Sequence, residues 1–487
     1  MKGISIIMSQ KKNEIKNKEI TDLNIDFAQW YTDVVKKSDL IEYAPVKGCV
    51  IFKPYSYRMW EIMQGIMDTA FKATGVENVY MPLFMPKSLL EKEADHVEGF
   101  APEVATITQV GDEQLEDPLV VRPTSETLFC TYFSNEIQSY RDLPMLLNQW
   151  CNVVRWEKTT RPFLRTTEFL WQEGHTAHAT LEEAEAKAKQ MLDVYTDFFE
   201  NTLAIPVVRG KKSEKEKFAG AHTTYTIESI MKDGKALQSG TSHNLGNGFA
   251  KAFDITFSDK DNQLQHVYQT SWGSTTRMIG AVIMVHGDNN GLMLPPKIAP
   301  IQVVVIPVAA NKPGVIEKNT TIYDQLKTKF RSKIDISDKS PGWKFSEYEM
   351  KGVPIRLELG PKDIEANQCV LVRRDTGNKT TVSLDNIVEE VDKLLTDIQQ
   401  NMYELAKKSL AEKTYVAKSF AEFEKTLEET PGFIKAMWCG ETACEENIKK
   451  KTGASTRCLP FEQENLGEAC VHCGKEAKTM VYFAKAY

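Results

Sequence analysis

Two cysteine pairs, Cys439-x4-Cys444 and Cys470-x2-Cys473, constrain this chain more than any other feature of its sequence. Two paired thiols on two turns can close a tetrahedral S4 site around Zn2+. Four thiolates leave no open position, so the ion they imply is structural rather than catalytic. Five of the nine cysteines fall between Cys439 and Cys473, and in a cytosolic chain such clustering suggests metal before disulfide. Two alternatives stand beside this reading. The thiols could be scattered and separately buried, and His472 could compete as a ligand from inside the second knuckle. The four thiols are the favoured set, with Cys458 left over.

The rest of the chain is bounded by length and charge. At 487 residues it has room for two to four domains. Hydrophobic residues at 42% and charged residues at 26% are ordinary for a soluble globular protein. No apolar run approaches the roughly 18 residues that span a bilayer as a helix. The apolar patch Ile4–Met8 is too short for a signal sequence and is followed by a Lys/Asn/Glu stretch. Residues 1–20 are expected to be a disordered tail, and the location cytoplasmic. The net charge of −7 gives no global basic field, so any nucleic acid must be held by local patches.

Residues 26 to 297 read as one mixed α/β unit. Helical spacing covers Tyr57–Phe71. Val79-Tyr80-Met81 is expected to be a strand stopped by Pro82. Glu182–Asn201 reads as a helix, Phe249–Phe257 and Val267–Ser271 as strands. Leu294-Pro295-Pro296 reads as a linker. Beyond it, strands at Ile301–Val308, Ile355–Leu359 and Gln368–Arg373 alternate with a helix at Ile316–Lys329, which suits a small α/β domain ending near residue 395. Asp385–Leu410 reads as a charged helical connector into the cysteine-bearing part.

Four constellations can carry chemistry. Arg155-Trp156-Glu157, followed by Arg165-Thr166, is either a solvated charge pair or a guanidinium aimed at a phosphate and a carboxylate, with Glu157 on an adenine amino group. Ser271-Trp272-Gly273-Ser274-Thr275-Thr276-Arg277 has small residues that let a ligand approach the backbone, and Arg277 then heads an apolar helix; glycines near an arginine are also common without function. Pro123-Thr124-Ser125-Glu126 is either a helix start capped by Thr124 or Ser125, or a loop that holds a cationic amine. Trp171-Gln172-Glu173-Gly174-His175 suits one wall of a pocket for a small polar ligand. His175 is given no acid–base role.

In this order the four blocks resemble the class II aminoacyl-tRNA synthetases, and their details resemble the prolyl-tRNA synthetase family. The three class signatures match the helix and strand ending at Pro82, then Arg155-Trp156-Glu157, then Gly273 to Arg277. The proline-specific strings are Thr124 to Glu126, Phe169 to His175 and Gln238 to His243. The class I strings His-Ile-Gly-His and Lys-Met-Ser-Lys-Ser do not occur. The resemblance implies an α+β catalytic domain with an antiparallel sheet over 21–297. An α/β anticodon-binding domain over 298–395 and a small α+β zinc-binding C-terminal domain over 396–487 follow.

The same resemblance implies ATP-dependent activation of L-proline and its transfer to the 3′ end of proline tRNA. Arg155 would contact both the proline carboxylate and the α-phosphate. Glu157, Arg165, Thr166, Gln238 and Thr241 would hold ATP, and Arg277 its triphosphate with Mg2+. Thr124 and Glu126 would receive the proline ammonium, with Glu173, His175 and His243 near it. Trp171 and Phe218 would wall the ring, and Ser271 and Gly273 would line the same site. Zn2+ would sit on Cys439, Cys444, Cys470 and Cys473. The stretch from Gly342-Trp343-Lys344 through Arg373-Arg374-Asp375 would face RNA. The Tyr487 carboxylate would lie near the active site, and the protein would be a homodimer through the first signature. Only about 65 residues separate Glu173 from Gln238, which leaves no room for an inserted editing domain. The competing expectations are another class II synthetase such as the threonyl or seryl enzyme, a non-catalytic RNA-binding paralogue, and a zinc-dependent RNA-binding protein with a vestigial front half. Arg155 and Arg277 weigh against the last two.

Overall fold

The computed structural model describes residues 20–94 and 103–487. The tail expected over 1–20 lies, except for residue 20, outside the described residues. Two compact units result. One takes the chain up to Leu40 together with His286–Ile398; the other takes Ile41–Val285 and Gln399–Tyr487.

The first unit is built on a mixed sheet in the order Ser332–Ile334, Val303–Pro307, Ile355–Leu359, Gln368–Arg373, Lys379–Ser383. The first three strands are parallel and the last two antiparallel. Val303 to Ile306 are fully buried, as a continuous apolar run in a central strand demands. The helix Phe27–Lys37 belongs here, because the Trp30 indole donates to the Asp288 carbonyl at 2.9 Å and the Ser38 hydroxyl to the Met350 carbonyl at 2.9 Å. The Leu294-Pro295-Pro296 segment is packed: Leu292 and Leu294 N–H groups donate to the carbonyls of Met350 and Gly352. Gly352 is required there. Its φ is +68°, and a Cβ would stand 2.7 Å from the Leu292 carbonyl carbon.

The second unit is organised by one long sheet, eleven strands among the described residues. Its central strands are Thr223–Ile230, Ala236–Gly246, Tyr268–Thr275, Glu168–His178 and Met145–Val154, all antiparallel. The helix Leu181–Asp197 covers one face. At the other edge the sheet continues through Val208–Lys211 into the C-terminal strands Ser455–Pro460, Thr479–Ala484 and Phe433–Trp438. The join is Leu459 opposite Lys211 and Pro460 opposite Gly210. A Cβ on Gly210 would stand 2.2 Å from the Leu459 carbonyl oxygen, so only glycine lets these backbones meet.

Two predicted strands differ. At Val79–Met81 the regular strand is confined to Glu77–Asn78. The reason is side-chain capture: the Met81 N–H donates to Gln149 Oε1 at 2.9 Å, and Arg122 Nη1 donates to the Met81 carbonyl at 2.6 Å. Over Phe249–Phe257 the chain forms a helical turn, Gly248–Ala252, and then a short strand, Thr256–Ser258. Phe249, Ala250 and Phe253 are all buried, which is one face of a helix and not an alternating strand. Asp254, at φ +52°, turns the chain out of the helix.

Candidate active site

The antiparallel register explains why residues far apart in sequence share one wall. Gln149 lies opposite Glu173, Glu173 opposite Gly273, and Gly273 opposite Thr241. The adjoining row is Leu147, His175, Ser271, His243 and Thr224. Strand alternation therefore puts Trp171, Glu173 and His175 on the cavity face. Gln172 and Gly174 point the other way. Gln172 hydrogen-bonds the Tyr195 hydroxyl at 2.7 Å, and Gly174 receives the Trp272 ring, which a Cβ would approach to 2.1 Å. The expectation that this string forms a pocket wall thus holds for alternate residues only.

The cavity encloses about 320 Å³, and every substrate and nucleotide candidate from the sequence lines it: Thr124, Glu126, Arg155, Glu157, Arg165, Thr166, Trp171, Glu173, His175, Phe218, Gln238, Thr241, His243, Ser271, Gly273 and Arg277. One end is acidic. Glu126, Glu173 and His175 bring their ligand atoms within 4.8 Å of one another, all buried. Glu173 accepts from the Ser125 N–H at 3.2 Å, Gln149 Nε2 at 2.6 Å and the His175 ring at 3.1 Å. Burial alone would raise the Glu173 carboxyl, but His175 and these hydrogen bonds outweigh it and hold it below the ordinary carboxylate range. The His175 ring stacks on Phe129 with centroids 4.1 Å apart. Glu126 accepts a short hydrogen bond from the Thr124 hydroxyl. It opens the helix Glu126–Glu136, but Ser125 at the cap position does not cap it with its side chain; the hydroxyl accepts from Gln149 Nε2 at 2.9 Å instead. The segment is therefore a helix start whose Thr124 side chain lines the cavity while the Ser125 hydroxyl is bound within the wall.

His243 closes this end. Its Nδ1 lies 2.9 Å from the Thr224 hydroxyl and its ring 4.8 Å from that of Phe218. Burial, then the nearby His175 and Lys212, depresses it to about 3, so it is neutral at physiological pH. Among the described residues the buried Ser271 hydroxyl has no hydrogen-bond partner, and Ser271 lines the cavity.

The other end is cationic. Arg155 follows directly on the strand Met145–Val154. Its Nε donates to the Pro123 carbonyl at 3.0 Å, and its guanidinium lies 5.3 Å from the Trp171 ring and 5.6 Å from Phe169. Arg165 pairs with Glu157 at 3.2 Å, half exposed. Arg277 heads the helix Arg277–His286, and its Nε donates to the Leu164 carbonyl at 3.2 Å. Burial, with Arg165 and Arg155 close by, lowers Arg277 to about 10. A second cavity of about 660 Å³ shares Glu157, Arg165 and Arg277 and reaches Tyr487. The Tyr487 hydroxyl donates to Asp233 Oδ2 at 2.7 Å, and its N–H to the Ala236 carbonyl at 3.1 Å.

Sequence reasoning missed Gln149 and Arg122. Gln149 alone ties Met81, Ser125 and Glu173 together. Arg122 is fully buried and donates to Met81 and Asn152 beneath the loop carrying Thr124. For Gln149 the available signal was a pair of adjacent carboxamides, Asn148-Gln149, inside an otherwise largely apolar strand.

Cys439, Cys444, Cys470 and Cys473 also come within 4.8 Å of one another. Sulfur separations are 3.6 Å for Cys444–Cys470 and 3.8 Å for Cys439–Cys473. A tetrahedral Zn2+ with bonds of about 2.3 Å needs edges of about 3.8 Å, so the donor set fits. His472 is near, with Nδ1 3.2 Å from Cys444 Sγ. Cys458 is fully buried outside the cluster.

In the first unit, several cations of the stretch expected to face RNA are consumed internally. Lys344 is buried and donates to the carbonyls of Asp335 and Ser337, both at 2.8 Å; Arg374 grips Asp288 at 2.8 and 2.6 Å; Arg373 pairs with Asp375 and Asp397. Trp343 stays exposed, with the Lys339 ammonium 5.2 Å from its ring.

Comparison with known proteins agrees with this geometry. Residues 107–286 match the family model for the tRNA synthetase class II core domain (G, H, P, S and T). Residues 302–394 match the anticodon binding domain, and residues 420–487 match the prolyl-tRNA synthetase C-terminal domain. A proline--tRNA ligase of Ruminiclostridium cellulolyticum is 64% identical over 469 residues, 96% of this chain and 98% of the relative. That of Clostridium novyi is 61% identical over 480 residues, 99% of this chain and all of the relative. The proline--tRNA ligase 2 of Bacillus thuringiensis strain Al Hakam is 62% identical over 468 residues, 96% of this chain and 98% of the relative.

Proposed function

We propose, for a chain that belongs to the prolyl-tRNA synthetase family of class II aminoacyl-tRNA synthetases, a division of chemistry along the cavity that Arg155 and Glu173 line. The enzyme joins proline to tRNA at the expense of ATP. The observation that carries the assignment of parts is the polarity of the cavity, acidic at one end and cationic, with Arg155 and Arg277, at the other.

The acidic end receives the proline ammonium. Glu173 already accepts from Ser125, Gln149, His175 and the Cys151 thiol, so its work is to supply charge and to fix His175 and the Ser125 N–H. Among the described residues Glu126 accepts only from Thr124, so Glu126 with Thr124 is the direct amine ligand. Trp171 and Phe218 flank the ring, and a neutral His243 adds no positive charge against the ammonium. The proline carboxylate then points to Arg155, and one carboxylate oxygen attacks the α-phosphorus of ATP. The P–O bond to pyrophosphate breaks, leaving prolyl-adenylate. In the second step the terminal ribose hydroxyl of tRNA attacks the acyl carbon, loses its proton and releases AMP. No side chain becomes covalently bound; the protein positions the reactants and stabilises charge. Arg155 offsets charge on the α-phosphate and Arg277 on the departing pyrophosphate. Glu157, Arg165, Thr166, Gln238 and Thr241 hold the nucleotide. Mg2+ carried on the phosphates supplies further charge neutralisation.

Zn2+ on the four thiolates would hold the C-terminal strands together without touching substrate. Elemental analysis should find one zinc per chain, lost in Cys444→Ser and kept in Cys458→Ser; loss in the latter alone would give a different ligand set. Trp343 and Lys339 suit an unstacked anticodon base. The exposed Tyr57 and Tyr80, at 45% and 67%, suit a homodimer contact at the first signature. Among the described residues no helix is long and apolar enough to cross a membrane, and a cytoplasmic location fits the free cysteines. The decisive assay is ATP–pyrophosphate exchange dependent on proline: exchange supported equally by threonine or serine, or by no amino acid, would end this reading.

A further inference from the structure

We propose that Arg457, a residue of the C-terminal domain far from the cavity in sequence, is a positioning residue for ATP. It occupies the Glu228 carboxylate behind the cavity wall, so that Arg277 stays available to the triphosphate. The inference rests on the functional reading above and adds to it a role for the C-terminal domain in the first step.

The argument begins with two irregularities in the sheet. The pairing of Ser455–Pro460 with Thr479–Ala484 shifts register between Thr456 and Cys458, which leaves Arg457 as the extra residue. The pairing of Thr223–Ile230 with Ala236–Gly246 shifts between Ile227 and Glu228, which makes Ser239 the extra residue and sets Glu228 opposite Gln238. β-bulges re-aim side chains, and here both shifts flank one ion cluster. Arg457 donates to Glu228 Oε2 from Nε at 3.0 Å and from Nη2 at 2.8 Å. Lys212 donates to Glu228 Oε1 at 2.6 Å and to the Arg457 carbonyl at 2.9 Å, and Thr226 donates to Oε1 at 2.9 Å. The Glu228 side chain is completely buried, Lys212 nearly so, and Arg457 is 8% exposed.

A buried carboxylate in this place is a hazard to ATP binding unless it is fully matched. Gln238, its register partner, lines the cavity, as does Arg277. The Arg277 guanidinium donates a hydrogen bond from Nε to the Leu164 carbonyl, a weak restraint on a long side chain. Glu228 acts on Arg277 attractively and Arg457 repulsively, so the two groups are within electrostatic reach of it. If Arg457 is removed, Glu228 keeps only Lys212 as a cation and draws Arg277 back from the phosphates. The seam that delivers Arg457 is fixed independently, by the Gly210–Leu459 backbone contact and by Glu445, which accepts from Ser213 at 2.9 Å and from Thr456.

The test is proline-dependent pyrophosphate exchange with the full chain, titrating ATP and proline separately. Arg457→Met keeps the length and removes the charge. It should raise KM for ATP about ten-fold or more, the scale of one lost charge-assisted hydrogen bond, and leave KM for proline within about two-fold. Arg457→Met/Glu228→Gln should recover most of the ATP affinity, because a neutral amide does not compete for Arg277. Unchanged KM for ATP in Arg457→Met would overturn the proposal. So would an equal loss for ATP and proline that the double variant does not recover, the pattern of a merely structural residue. If Arg457→Met does not fold, Arg457→Gln, which keeps an N–H donor and removes the charge, decides: a selective rise in KM for ATP supports the role, and no rise overturns it. Wild-type exchange tests the functional reading itself, whereas the ratio between variants tests only this clamp.

Discussion

The two ends of the cavity are built differently. At the acidic end the charged groups have buried partners: Glu173 is held by Ser125, Gln149, His175 and Cys151, Glu126 by Thr124, and His175 by stacking on Phe129. At the cationic end the restraints are few and partly in solvent: Arg277 leans on one carbonyl, and Arg165 is half exposed against Glu157. On the assignment proposed above, the difference follows from the ligands. Proline is small and has one charged amine, so recognition must come from a rigid, desolvated site. A triphosphate brings several negative charges of its own and needs only cations within reach, which long arginines supply.

The strongest way to break this comparison is at its cationic end. Arg155→Ala or Arg277→Ala should each lower proline-dependent pyrophosphate exchange by at least about 100-fold, the usual scale for a lost transition-state donor. Near-normal exchange in both variants would mean that the cationic end does not carry the chemistry. At the acidic end, Glu126→Gln should raise KM for proline about 10- to 100-fold and leave KM for ATP nearly unchanged. Should Glu126→Gln instead impair ATP alone, the two ends would have been assigned the wrong way round.

A subtler probe of the acidic end is alanine, which keeps the ammonium and carboxylate of proline and lacks two ring carbons. At about 0.8 kcal/mol per buried methylene, exclusion is worth about 1.6 kcal/mol, or about fifteen-fold. Between Glu173 and Gln238 the chain forms the helices Leu181–Asp197 and Phe198–Thr202 and the strands Val208–Lys211 and Thr223–Ile230, with no separate domain. Alanyl-adenylate should therefore form, and pre-formed alanyl-tRNA should persist in the presence of the enzyme; enzyme-dependent deacylation would reveal an editing site.

The smallest effect concerns pH. Burial, then Lys187, depresses His178 from 6.5 to about 4. The unfolded chain therefore binds a proton that the folded chain refuses. Stability is fully present above pH 6.5 and is lost as pH falls from there toward 4, by up to about 1.4 kcal/mol per unit. Urea midpoints measured at pH 7.5 and 5.5 should fall less in His178→Gln than in the wild type; equal falls would remove His178 as the cause.

Much of the site was legible before any coordinates, because its residues come in short strings whose types suit the chemistry. Trp171, Glu173 and His175 share a face through the two-residue period of a strand, and Ile355–Leu359 and Gln368–Arg373 are strands to the residue. Helical spacing likewise placed Pro54–Lys72 within a few residues. The failures are local competitions. Gln149 and Arg122 take hydrogen bonds that a strand at Val79–Met81 would have used, and the burial of Phe249, Ala250 and Phe253 favours a helical turn over a strand.

What the sequence determined by itself is the chemical inventory: which carboxylates, arginines and thiols exist, and at what spacing along each element. Periodicity within a strand or helix is a short-range property, and it fixes which of them share a face. What only the tertiary structure decided is adjacency across elements. It set Glu173 beside Gly273 and Thr241, joined the strand of Arg457 to that of Lys211, and put the helix Phe27–Lys37 with His286–Ile398. Strand order and bulge position depend on long-range pairing, and a difference of one residue in register turns every side chain to the opposite face.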